Sequence, residues 1–264
     1  MFPTHELFAK NRFWAILLVV SFLTGACSHS DVSHQKNEPQ REEKIKKLSQ
    51  YGTSLLMKRR SQKALHVLTK AHRLDPKNKN ILNNLGLTYL LLNERKKARV
   101  HFVKALKIDP KFGDPWINLG RMEMDVNQYR TARKLFKKAT QIDTYVGIAN
   151  AYANLGLTYY KTKEFEKGLK NFERALIRAP RHCEATIWSA RTYRKMKKHR
   201  KATQFFRKAA GSACALEPMV HYELARSYLQ IKRPDLARKK YVDLMRRFPK
   251  TRYSKLAKRR LGSL

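Results

Sequence analysis

Three cysteines, Cys27, Cys183 and Cys214, have the widest chemistry open to them in this chain. A thiolate is a nucleophile, a metal ligand or half of a disulfide, and its neighbours decide which. Cys183 stands between His182 and Glu184, a triplet of ligand types, but adjacent ligands usually mark no more than a loop, and the nine His are otherwise scattered. No glycine-rich phosphate loop, HExxH, GxSxG or CxxC occurs. The sequence therefore predicts no catalytic residue, no metal and no cofactor beyond any covalent lipid. What remains is binding chemistry, supplied by 27 aromatic residues and by 58 Lys plus Arg against 20 Asp plus Glu, a net charge of +38.

The elements that position these residues announce themselves by repetition. NLGLTY stands at 84–89 and again at 154–159, within two longer stretches that match at most apolar positions. A 34-residue period runs from Ile45 through units 45–78, 79–112, 113–146, 149–182, 183–216 and 218–251, with two residues inserted after the third unit and one after the fifth. In the second unit Leu82, Leu85, Gly86, Tyr89, Ala98, Phe102, Ala105 and Pro110 resemble the tetratricopeptide pattern, and the other five units keep most of these positions. Small residues at the eighth and twentieth places let two antiparallel helices approach. Large residues fill the gap to the next pair, and Pro stops the second helix because it lacks the backbone donor. No pair buries its apolar face alone, so stacked pairs share one core. The fold class expected is all-α: a right-handed tetratricopeptide superhelix of about six helix pairs, with 252–264 either a capping helix in which Tyr253, Leu256, Ala257 and Leu261 cover the last pair or a frayed basic tail.

This register gives two further expectations. Cys183 and Cys214 fall at places 1 and 32 of one unit, which antiparallel packing brings to the same end of a hairpin; they either pair as a disulfide in an oxidising compartment or remain two small apolar thiols. Superhelices of this kind bind along the concave face lined by the first helix of each pair. Places 2, 5, 6, 9 and 12 put on it Asn83, Asn84, Leu87 and Leu90, then Ile117, Asn118 and Arg121. Asn154, Leu157 and Tyr160 follow, then Trp188, Arg191 and Arg194, and finally Tyr222 and Arg226. Apolar and amide groups in the front half and Arg among aromatics in the back half suit an extended or helical segment with apolar anchors and some acidic residues.

The first thirty residues bear on where this happens. Lys10 and Arg12 precede an apolar run at 13–23, short for a membrane span, and LTGAC follows with Cys27 directly after small residues. This resembles the lipobox of bacterial lipoproteins, which implies cleavage before Cys27 and acylation of it; each buried methylene of the acyl chains contributes about 0.8 kcal/mol. Ordinary cleavage after Ala26 and a retained anchor are the competing readings. Ser28 in place of Asp favours the outer membrane by the enterobacterial sorting rule, and 27–44 reads as lipidated Cys plus flexible polar tether. Export removes chromosomal DNA as a partner. The positive charge is then a solvated surface, or it meets lipid headgroups, acidic polymers or an acidic protein face.

The whole layout resembles the PilF/PilW-type pilotins, including the Tgl-type proteins of gliding bacteria. The closest local likeness is ATQIDTYVGIANAYANLGLTYYKTKEFEKGLKNFERAL, with its two-residue-longer connection. The resemblance implies a non-enzymatic, lipid-anchored outer-membrane protein facing the periplasm. Its client would be the secretin subunit of the type IV pilus, whose localisation, assembly or stability it would promote. FPKTRYSKLAKRRL resembles repeat endings of barrel-assembly lipoproteins and of the Tol-associated coordinator, so an envelope-assembly factor is the second expectation. An adaptor or regulator of peptidoglycan enzymes is the third.

Overall fold

A computed structural model of the chain describes residues 31–212 and 214–264. The apolar run at 13–23 and Cys27 lie outside the described residues. Among the described residues the secondary structure is helical throughout. The helices are α1 (Asp31–Met57), α2 (Ser61–Leu74), α3 (Lys79–Leu91), α4 (Arg95–Ile108), α5 (Gly113–Asp125), α6 (Tyr129–Thr140), α7 (Ile148–Lys161), α8 (Phe165–Arg178), α9 (Cys183–Lys195), α10 (His199–Ala210), α11 (Pro218–Gln230), α12 (Pro234–Arg247) and α13 (Arg252–Leu261). The chain divides into one unit up to Glu43 and another from Lys44 to Leu264, and the second holds the repeats.

One expectation is corrected at the outset. Residues 31–44, read as part of a flexible tether, are helical as the first turns of α1. QREEKIKK is made of strong helix formers, and an adjoining segment that buries apolar residues supplies the nucleus that a polar stretch lacks.

Close approach within each pair follows from place 8. A Cβ built on Gly86 would lie 2.5 Å from the Phe102 ring, and one on Gly120 would lie 2.5 Å from Phe136. The Phe edge occupies the space a methyl group would need. Phe102, Phe136, Phe172 and Phe206 are fully buried, as are Leu68 and Tyr241 at the same place of the first and last units. Each such side chain contributes about 1.5–3 kcal/mol by leaving water. In the fifth and sixth units the small partner is Ala190 or Ala225.

Place 15 is the second recurring device. Arg59, Asn93, Asn127, Lys163, Lys197 and Lys232 all have positive φ, between 53° and 63°, and each sits in the tight turn between the two helices of its pair. Asn reaches this left-handed conformation at little cost; Lys and Arg do so against their Cβ, at roughly 1–2 kcal/mol.

Curvature comes from unequal spacing. First helices touch the next first helix, as in α3–α5, α5–α7 and α7–α9, while no two second helices make a comparable contact among the described residues. The inner row is close-packed and the outer row is splayed. A cleft of about 640 Å³ consequently opens between α8 and α10, lined also by Ser189 and Tyr193 of α9 and by Met196 just after it. At the C-terminal end α13 closes the stack: Ala257 is fully buried, and Tyr253, Leu256 and Leu261 pack on the core shared by α11 and α12.

Candidate functional site

On the inner row, α5, α7 and α9 enclose a cleft of about 660 Å³. Of the residues expected on the concave face it brings together Ile117, Asn118, Arg121, Asn154, Leu157 and Trp188. The apolar side of this cleft continues to Tyr160, whose ring centroid lies 5.0 Å from that of Trp188. Tyr160 also contacts Phe165 at 5.8 Å, so the aromatic wall is held from behind.

Other expected residues serve the stack. Asn84 donates to the Thr53 hydroxyl at 2.9 Å, and Asn118 donates to the side-chain Oδ1 of Asn83 at 3.0 Å. These amides therefore tie successive first helices together, and Asn83 is buried. Asn154 donates to the carbonyl of Asn150 in its own helix at 2.8 Å. Leu87 and Leu90 pack on the core of the second and third pairs. Tyr222 is core as well, with its ring between Tyr241 and Tyr253 at 5.7 and 5.8 Å.

The arginines of the back half are also occupied. Arg194 and Arg226 both pair with Glu223, and the Arg194 guanidinium lies 5.4 Å from the centre of the Phe206 ring. Arg191 stacks on Trp188 at 4.6 Å and points Nη2 at the Met219 sulfur, 3.3 Å away. Two of the three back-half arginines therefore already share a carboxylate. Arg121 is the one Arg or Lys among the described lining residues of the cleft, against the carboxylates Asp114, Asp125 and Glu184. In a chain of net charge +38 this is a locally acidic, amide-rich cleft with an aromatic end.

Sequence reasoning passed over Asp114, Asn150 and Glu184, although all three occupy place 2 of their units, one of the places named for the groove. It had no signal for Tyr145, which comes from the longer connection before α7. The Tyr145 hydroxyl donates to Asp114 at 2.5 Å, and burial followed by the Asp114 carboxylate pushes its pKa upward. A Cβ on Gly113 would lie 2.5 Å from this ring, and one on Gly147 would lie 2.4 Å from it, so both glycines are required by the fit.

The ligand-like triplet resolves differently. His182 caps α9: its Nδ1 accepts from the Ala185 amide at 3.2 Å, which leaves Nε2–H to donate to Asn150 Oδ1 at 2.8 Å. Burial lowers the His182 pKa, in keeping with this neutral tautomer. Cys183 is joined to Cys214 in a disulfide with Cα atoms 5.4 Å apart, pinning the start of α9 to the loop before α11. Among the described residues no cluster of His, Cys, Asp and Glu suits a metal ion, and no helix is long and apolar enough to cross a membrane.

Residues 80–112 and 149–182 match one tetratricopeptide repeat model, and 220–251 match a second. No curated protein matches the chain by sequence. Among solved structures, one described as a functional characterisation of PilF from Pseudomonas aeruginosa superposes with a TM-score of 0.71 at 20% identity, covering 84% of this chain and 99% of that one. PilW, described as a widely conserved type IV pilus biogenesis factor, gives 0.70 at 21% identity over 79% and 96%. YrrB, described as a tetratricopeptide protein with an unusual peptide-binding site, gives 0.53 at 17% over 73% and 97%. The chain is an all-α tetratricopeptide superhelix, a scaffold of the kind that binds proteins, and its fold is that of PilF and PilW.

Proposed function

We propose that this protein is a lipoprotein anchored through Cys27 at the outer membrane, and that it holds a segment of a protein client in the α5–α7–α9 cleft without making or breaking bonds. The client most in keeping with the fold relatives is the secretin subunit of a type IV pilus. Holding it at the membrane would promote its assembly or stability there. The observation that carries the reading is the cleft itself: a walled site of about 660 Å³ on the inner row, with Trp188 and Leu157 as apolar anchors and Asp114, Asp125 and Glu184 as acceptors.

That chemistry favours a segment different from the acidic one expected on the register alone. The segment that fits presents an apolar anchor flanked by hydrogen-bond donors or basic side chains. The disulfide supports export, since such bonds persist in oxidising compartments. Photo-crosslinking from Leu157 or Trp188 in cells, combined with deletion of the gene, tests the proposal. The expected result is an adduct with the secretin subunit and loss of its multimers on deletion. Normal multimers in the deletion strain with no secretin adduct would overturn it.

A further inference from the structure

The positive charge is not spread evenly over the repeats. α4 carries six Lys or Arg, α6 five and α10 four, none of them with a single acidic residue, and α2 also lacks acids. By contrast α5, on the inner row, has three carboxylates and one Arg. Place 26 concentrates the asymmetry. It is Lys70, Lys104, Lys138, Arg174 and Lys208 in five successive units, all exposed, on the outward side of the second helices. One such residue recurs on each successive second helix, so the five form a row of cations along the splayed outer face, one per repeat. Asp243 takes the place in the sixth unit and ends the row.

Aliphatic side chains are exposed beside that row. Val100 is 50% exposed, Val103 39% and Ile177 70%. The cleft between α8 and α10 opens on the same face, with an apolar lining that includes Leu176, Ile177 and Phe205, and with Lys170 and Lys201 among Glu166 and Glu173 at its edge. Cations interleaved with short apolar side chains match the interface of a lipid bilayer, where headgroup phosphates meet acyl chains. A nucleic-acid backbone has use for the charges but none for the aliphatics. The disulfide also belongs to a compartment where lipid, not nucleic acid, is the abundant polyanion.

We infer that the outer face of α2–α10 docks on an anionic lipid surface through this row, which turns the inner cleft away from the membrane. The inference needs neither the acyl anchor nor any particular client. Near an anionic surface each Lys or Arg is worth about 1 kcal/mol, or roughly fivefold in affinity. On a curved face about three of the five touch a flat bilayer at once, which predicts a loss of roughly 100-fold when the row is neutralised.

The test compares the full chain with a variant carrying Lys70→Gln, Lys104→Gln, Lys138→Gln, Arg174→Gln and Lys208→Gln. A charge-matched control changes Arg252, Lys255, Lys258, Arg259 and Arg260 of α13 to Gln. Each is sedimented with phosphatidylglycerol–phosphatidylethanolamine vesicles and with neutral phosphatidylcholine vesicles, which report what the shared N-terminus contributes. All substituted residues are exposed, and far-UV circular dichroism verifies that each variant remains helical. The expected result is an excess binding to anionic vesicles that falls roughly 100-fold in the row variant and less than tenfold in the control. Equal losses in both variants, no loss in the row variant, or tighter and equally row-dependent binding to a 20-nucleotide RNA at the same ionic strength would each overturn it.

Discussion

Opening the Cys183–Cys214 disulfide separates a stack held by local interfaces from one held as a single block. The bond spans 31 residues, and in the chain-entropy model closing a loop of that length removes about 3.7 kcal/mol of unfolded-state freedom at 25 °C. Stability in repeat arrays is approximately a sum of units and nearest-neighbour interfaces. The loss therefore falls on α9, α10 and the start of α11, the part of the chain that also carries Trp188. For a domain of this size about 2–4 °C of melting temperature accompanies each kcal/mol, so reductant should lower the transition by about 7–15 °C. The double variant Cys183→Ser/Cys214→Ser should melt at the lowered temperature with and without reductant. Hydrogen exchange should rise across 183–230 and remain near its original level in α3–α6. An unchanged melting temperature after mass spectrometry shows both thiols free, or a uniform rise in exchange along the whole array, would refute the reasoning.

Replacing Lys163, Lys197 or Lys232 by Gly removes a left-handed-conformation cost of roughly 1–2 kcal/mol and adds an unfolded-state entropy cost of roughly 0.5–1 kcal/mol. Each should therefore raise the urea midpoint by the equivalent of about 0.5–1 kcal/mol, and the three distant sites should add; Asn93→Lys should do the reverse. Acid should destabilise the protein through its buried imidazoles. Burial lowers the pKa of His221, His72, His101 and His182 in the folded chain, so the unfolded chain binds more protons below about pH 6.5. Stability is then fully present above that value and falls as pH drops through it toward the folded pKa, by up to about 1.4 kcal/mol per pH unit for each group. His221 is fully buried: Nε2–H donates to the Ala215 carbonyl at 2.7 Å, and Nδ1, which protonation would charge, has no partner. His221→Gln should flatten the difference between urea midpoints at pH 7.5 and pH 5.5.

The scaffold was legible because its signal is the packing itself. Gly86 beside Phe102 and Gly120 beside Phe136 are constraints that any chain with this helix spacing must meet, and the 34-residue period displays them repeatedly. The cleft was harder to read, because a residue on the right face can still be consumed by its neighbours. Asn84 and Asn118 face inward but hold adjacent helices, Arg194 and Arg226 spend their charge on Glu223, and Tyr222 turns into the core. None of these outcomes depends on residue type or register alone. Tyr145 was out of reach for another reason: it stands in the connection just before the insertion, at place 33, where the repeat template assigns no role. The uneven charge was present in the sequence throughout, but it becomes a surface only when place 26 of each unit is aligned across neighbouring helices.

The connection that carries Tyr145 also limits how such a chain can grow or shrink. Whole modules can be duplicated or excised among the first three units, because those joints are close to interchangeable copies of one another. The joint before α7 is bespoke. The Tyr145 phenol ring needs Gly113 at the start of its own unit and Gly147 of the insertion that leads into the next, and its hydroxyl needs Asp114. A recombination event crossing that point separates the ring from one half of its seat. The third and fourth modules are accordingly expected to be inherited together, with the cleft they help to wall.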